Sequence, residues 1–183
     1  MKRTLPKRKA PAARKPAAKK ARSASSAARI VLRRILVPVD FSDNSKKALR
    51  YAVPFAEQFG AAITVIYVVE PAVFPSDFGF GQLNFPDVER EMNDKAVSEL
   101  MQVANEAGGR APIASVVRSG IPFVEVTAYA DENDTDLIIL ATHGRTGVEH
   151  ILFGSTAEKI IRKAPCPVLV VRAEEHEFID DRV

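Results

Sequence analysis

From residue 34 onward the chain alternates short apolar runs with segments of helical period, and that alternation restricts its fold more than any other property. Ile35-Leu-Val-Pro-Val39 reads as a first strand. Ser42 to Gly60 reads as a helix with Ala48, Ala52, Phe55 and Phe59 on one face and a kink expected at Pro54. Ile63 to Val69 is a second strand, unbroken in β-branched and aromatic residues as a strand covered on both faces should be. A loop rich in Pro, Gly and Phe spans residues 70–86, and a helix from Asp87 to about Ala107 stops at Gly108-Gly109, where positive φ is cheap. Ile113 to Val117 forms a third strand, Pro122 opens a helix to about Asn133, and Leu137 to Leu140 forms a fourth strand. Ser155 to Lys163 is a fourth helix with Ala157, Ile160, Ile161 and Ala164 inward, followed by a fifth strand, Val168 to Val171. Five strands separated by four helices predict an α/β fold: a doubly wound parallel sheet in three layers, since parallel neighbours need helical crossovers.

With 183 residues and 46% hydrophobic content, one core is enough to hold these elements. No apolar stretch reaches the length of a transmembrane helix. Cys166 is the only cysteine, so an internal disulfide is excluded. No charged-then-apolar leader pattern suggests export, and a cytoplasmic location is expected.

The net charge of +3 conceals two opposite populations. Residues 1–34 carry 13 Lys and Arg and no acid, whereas the remaining 149 hold 13 basic and 23 acidic groups, a net of −10. The arm from Lys2 to Arg29 alternates Lys and Arg with Pro and Ala and has only Leu5 as a large apolar side chain before Ile30. Such a segment cannot bury enough surface to offset its ordering entropy, so residues 1–33 are expected to be disordered. Its composition resembles the tails of linker histones and histone-like bacterial proteins. Nucleic acid, DNA included, is one expected partner of residues 2–29; a solubilising tail or a targeting segment are the alternatives. Residues 34–173 form the expected folded domain and 174–183 a polar C-terminal tail.

Directly behind Leu137-Ile-Ile-Leu140 comes A-T-H-G-R-T-G-V-E-H-I-L-F-G-S-T-A-E, residues 141–158. A strand that empties into a small-residue loop and then a helix N-terminus suits an anion, because unpaired amides and the helix dipole point into the loop. In doubly wound sheets ligands lie beyond the carboxyl ends of the strands where the winding reverses, so Asp40 would share a crevice with the 141–155 loop if strand four adjoins strand one. Purely structural roles are also open. Ser155 with Glu158 fits a capping box, Asp40 could cap the helix that follows it, and Gly144 and Gly147 could simply turn the chain.

V-P-V-D-F-S at 37–42, S-G-I-P at 119–122, the 141–155 stretch and A-P-C-P-V-L-V-V at 164–171 together resemble the universal stress protein family. The likeness covers about residues 34–172. It implies a five-stranded sheet in the order 3-2-1-4-5 with four helices. ATP-binding members share Gly, two residues, Gly, nine residues, Gly, then Ser or Thr; here Gly144, residues 145–153 and Gly154-Ser155 match, while Ala141 replaces the first glycine. The resemblance implies that Pro38, Val39 and Asp40 line the nucleoside, with Val68 and Leu140 beside the base. Backbone around Ala141, His143 and Gly144, and Gly154, Ser155 and Thr156 at the helix start, would follow the phosphates. The implied ligand is ATP, or AMP or another adenine nucleotide, with Mg2+ only as its counter-ion.

No G-K-[ST] loop, nucleophile elbow or metal-ligand spacing is present in the sequence, so no catalytic or metal residue is assigned and at most slow ATP hydrolysis is expected. Phe74, Phe78, Phe80 and Phe85 cluster in one loop as a lid, a contact patch or apolar cover. Family members commonly dimerise through the last strand, which implies a homodimer through Val168–Val171. The resulting expectation is an ATP-binding stress-response regulator, with a nucleic-acid-binding protein dimerised by its folded domain, or a slow ATP hydrolase, as alternatives.

Overall fold

The computed structural model describes residues 29–70, 86–142, 144, 154–174 and 179, with side chains in the second helix from residue 90 onward. The Phe-rich loop and the arm up to residue 28 therefore lie outside the described residues. Along the chain run β1 (Arg34–Pro38), α1 (Asp43–Phe59), β2 (Ala62–Val69), α2 (Pro86–Glu106), β3 (Ile113–Ser119), α3 (Pro122–Glu132), β4 (Leu137–Ala141), α4 (Ser155–Lys163) and β5 (Val168–Val171). All strands are parallel, in the order β3-β2-β1-β4-β5. Among the described residues no helix is long and apolar enough to cross a membrane.

β1 occupies the centre, and its three middle residues, Ile35, Leu36 and Val37, are buried to 1% or less. Successive side chains of a strand point to opposite faces, so an unbroken apolar run is what a sheet with two covered faces demands. The core accordingly divides in two. One cluster joins Ile35, Val37, Ile63 and Val65 to Ala48, Leu49 and Ala52 of α1 and to Leu100 and Val103 of α2. The other joins Leu36, Ile66, Ile138 and Leu140 to Val126 and Ala130 of α3 and to Ala157 and Ile160 of α4. Helices α1 and α2 thus cover one face and α3 and α4 the other, the doubly wound arrangement.

Local chemistry explains the helix limits. Ser42 caps α1 by accepting from the Ser45 amide, and Gly60 ends it at φ 69° with its N–H on Ala56 O. The helix runs through Pro54. Gly109, at φ 85°, could not carry a side chain, because a Cβ would overlap Val53. Pro122 sits in the first turn of α3. Between β3 and α3, Arg118 pairs with Glu132 and with Glu125 at 3.7 Å, and its guanidinium lies 4.9 Å from the Tyr129 ring centre. On the same side of the sheet, the Lys159 and Lys163 ammonium groups each approach the Phe123 ring to 5.0 Å, stitching α4 to α3.

Several faces differ from the helical-wheel expectation. Phe59 is 37% exposed and Ile161 38% exposed, although Ile160 beside the latter is buried. Phe55 is half-buried, stacked 6.4 Å from Phe59. Lys47 is instead buried, its Nζ donating to Ala173 O at 3.1 Å. Ile179, in the segment read as a polar tail, packs against the α1 and α2 cluster.

Candidate functional site at the carboxyl ends of the strands

The β1–β4 pairing, Ile35 with Leu137 and Leu36 with Ile138, brings two βα junctions side by side. The chain winds outward from this pair in both directions, so their carboxyl ends form a topological switch point. The start of β1 is tied to the start of β4 as well: the amides of Arg33 and Arg34 donate to the Asp136 carboxylate at 2.7 and 2.9 Å.

A cavity of about 480 Å³ opens at this switch point. Its wall holds Pro38, Val39 and Asp40 from the end of β1, Val68 from β2, Leu140 and Ala141 from β4, Gly144, and Gly154, Ser155 and Thr156 at the start of α4. Of the site positions named from the sequence, only His143 is missing from this set, and it lies outside the described residues, as do 145–153. Val39, Val68 and Leu140 are buried and make an apolar floor, whereas Ser155 and Thr156 are exposed at the rim. The volume and the mix of an apolar floor with few polar groups suit a small-molecule pocket.

The first junction is held from within. Asp40 Oδ1 accepts from the Ser42 amide at 3.2 Å and from the Ser42 hydroxyl at 2.6 Å, an Asx turn. The Asp40 amide donates to Ser45 Oγ at 3.3 Å, and Ser45 Oγ donates to Ser42 O at 2.9 Å. Asp40 therefore does not cap α1 directly; Ser42 does, and Asp40 braces Ser42.

The second junction is built differently. The Gly154 N–H donates to Thr142 O at 2.8 Å, and Gly154 is the N-cap of α4, with no side-chain cap bond. Ser155 is the first residue of the helix rather than its cap, so the Ser155–Glu158 capping box expected from the sequence does not form; Gly154 O, not Ser155, receives the Glu158 amide at 3.0 Å. The first-turn amides of α4 consequently face the cavity with no acceptor supplied by the N-cap side chain, where the positive end of the helix dipole also lies. Gly144 closes the gap between the junctions. A Cβ there would overlap Asp40 Oδ2, so a side chain at 144 would require the Asp40 carboxylate to shift.

Sequence reading missed Tyr67, Glu70 and Met92, which also line the cavity. The register gives the reason for the first two: Pro38 pairs with Ile66, so β2 continues past the end of β1 and its last residues overhang the crevice. Met92 reaches the site from α2, and no local motif marks it.

Comparison with known proteins agrees with this geometry. Residues 32–172 match the sequence profile of the universal stress protein family. A universal stress protein of Methanocaldococcus jannaschii is 34% identical over 148 residues, covering 79% of this chain and 85% of that protein. Among solved structures, a universal stress protein, UspA, from Lactobacillus plantarum is 29% identical and covers 79% of this chain and 100% of its own, with a TM-score of 0.62. A universal stress protein from Archaeoglobus fulgidus in complex with dAMP shares the fold at 23% identity, covering 77% of this chain and 98% of its own, with a TM-score of 0.52. Strand order, switch-point cavity and sequence likeness converge: the chain belongs to the universal stress protein family.

Proposed function

We propose that the domain binds an adenine nucleotide in the β1–β4 cavity, with ATP as the ligand that the family resemblance implies, and acts as a nucleotide-responsive regulator rather than as a catalyst. The observation that carries this reading is the meeting of three features in one cavity: the Asp40 carboxylate, the side-chain-free Gly144 and the uncapped start of α4. The carboxylate suits hydroxyl or amino donors of the nucleoside, the buried Val39, Val68 and Leu140 suit a flat base, and amides at a helix start suit phosphate. The dAMP complex of a protein with this fold is in keeping with it. Mg2+ would accompany ATP as the phosphate counter-ion.

Calorimetry and thermal shift with Mg·ATP and with AMP test the reading. Ligand at a hundredfold excess over Kd should stabilise the domain by about 2.7 kcal/mol, and Asp40→Ala should abolish most of that gain. No heat and no shift with either nucleotide would remove the proposal.

The reading extends to assembly. β5 is an edge strand, and pairing it with its twofold mate would protect its backbone groups in a homodimer. The arm, with 11 Lys and Arg between residues 2 and 29 and no acid, would tether that dimer to nucleic acid. Full-length protein compared with a chain starting at Arg34 should show salt-dependent DNA binding only in the former, with a log–log slope of roughly −4 to −5 if about five phosphates are contacted.

A further inference from the structure

Between Asp40 and the Ser42 cap stands Phe41, at φ 66°. The left-handed region is costly for a residue with a Cβ, and Phe lacks the short polar side chain by which Asn or Asp offsets that cost locally. Glycine would adopt the same backbone freely. The chain nevertheless carries a phenylalanine there, and its ring is engaged: it lies 4.5 Å from the Tyr67 ring centre, tilted by 42°, and packs against the core cluster on the α1 and α2 face. Tyr67 itself lines the cavity.

The strained residue connects two things. On its N-terminal side, the turn directs Asp40 Oδ1 to the amide and hydroxyl of Ser42 and leaves Oδ2 against Gly144. On its side-chain face, the ring lies against Tyr67, near the carboxyl end of β2, which forms part of the pocket wall. We infer that Phe41 is a positioning residue for the nucleotide site, the Phe41–Tyr67 ring contact holding the left-handed turn that aims the Asp40 carboxylate. The inference rests on the adenine-nucleotide reading of the cavity. Strain at this turn is maintained because packing over-determines it, the usual circumstance at binding sites.

The discriminating variant is Phe41→Gly, which relieves the backbone and removes only the ring. If backbone conformation were all that mattered, Phe41→Gly would bind Mg·ATP like the wild type; the ring clamp requires at least a tenfold loss by calorimetry, restored to within about threefold in Phe41→Tyr. A double-mutant cycle with Asp40→Asn separates positioning from general damage, since residues acting through one another do not add. In the Asp40→Asn background the further loss on Phe41→Gly should shrink to less than twofold. Tyr67→Leu breaks the same contact from the other side and should reproduce the loss if Phe41→Gly does not fold, as judged by circular dichroism. Equal losses in both Asp40 backgrounds, or full affinity in Phe41→Gly, overturn the positioning role while leaving nucleotide binding intact. A wild-type chain that does not bind the nucleotide overturns both.

Discussion

The two junctions that face each other across the crevice solve the same problem in opposite ways. Each is a parallel strand ending in a turn that opens a helix, and each helix begins with amides that have no partner within the helix. At β1–α1 the chain supplies a cap itself: Ser42 Oγ accepts from the Ser45 amide, and Asp40 in turn holds Ser42 by accepting from its amide and hydroxyl. At β4–α4 it supplies Gly154, which has no side chain to offer. A helix start that is completed internally gives stability; one that is left incomplete gives a place for an anion. Among the described residues, the pocket thus sets a wall finished by a side-chain cap against one that has none and is in that sense unfinished.

The most disruptive change should be Gly144→Val, which drives a side chain into the Asp40 carboxylate and forces the walls apart. Affinity for Mg·ATP should fall by a hundredfold or more, about 2.7 kcal/mol, in calorimetry on a protein that remains folded.

Gly154→Asp attacks the contrast directly by finishing the unfinished wall. The N-cap φ of −63° accepts any residue, and an aspartate there would cap α4 and place a negative charge where phosphate is proposed to sit. The melting temperature should hold or rise while ATP affinity drops about tenfold, or 1.4 kcal/mol. A variant that gained stability and kept its affinity would show that the α4 amides are not the phosphate contact.

Ser42→Ala unfinishes the finished wall. Loss of this cap should cost about 1 kcal/mol, read as a lower urea midpoint with an unchanged slope.

The smallest effect belongs to the third junction, β3–α3, where an ion pair rather than a cap joins strand to helix. The hydrogen bond from Arg118, then its charge, holds the exposed Glu132 carboxyl below its ordinary range. A depressed carboxylate pKa contributes stability that is present above the unfolded value of about 4.3 and lost as pH falls through the folded one. Glu132→Gln should therefore flatten the acid limb of the stability profile slightly and leave neutral pH almost unchanged, as expected of a surface pair.

Strand positions were legible in the sequence because a sheet covered on both faces needs unbroken apolar runs, and the observed limits of β2, β4 and β5 lie within one residue of the runs that mark them. Sheet order was not legible from periodicity; it entered with the family resemblance, and the β1–β4 register fulfils it. Helix faces were read less well. Wheel patterns put Phe59 and Ile161 inside and give no sign of a buried Lys47, whose Nζ bonds Ala173 O, 126 residues away, a tertiary contact that helical period does not encode. The capping-box reading of Ser155 failed for a related reason: the motif specifies spacing, not the residue at which the backbone turns helical, and here that is one position earlier. Tyr67, Glu70 and Met92 belong to the site through register and tertiary approach, which no short motif encodes.

Asp136 holds the amides of Arg33 and Arg34 across 103 and 102 residues of chain. The crevice likewise joins segments distant in the chain, the end of β1 and the start of α4, and a growing polypeptide lacks the second until synthesis has passed Thr156. On the proposed reading, a nucleotide bound there would act as a rivet between an early strand, β1, and the late β4–α4 junction.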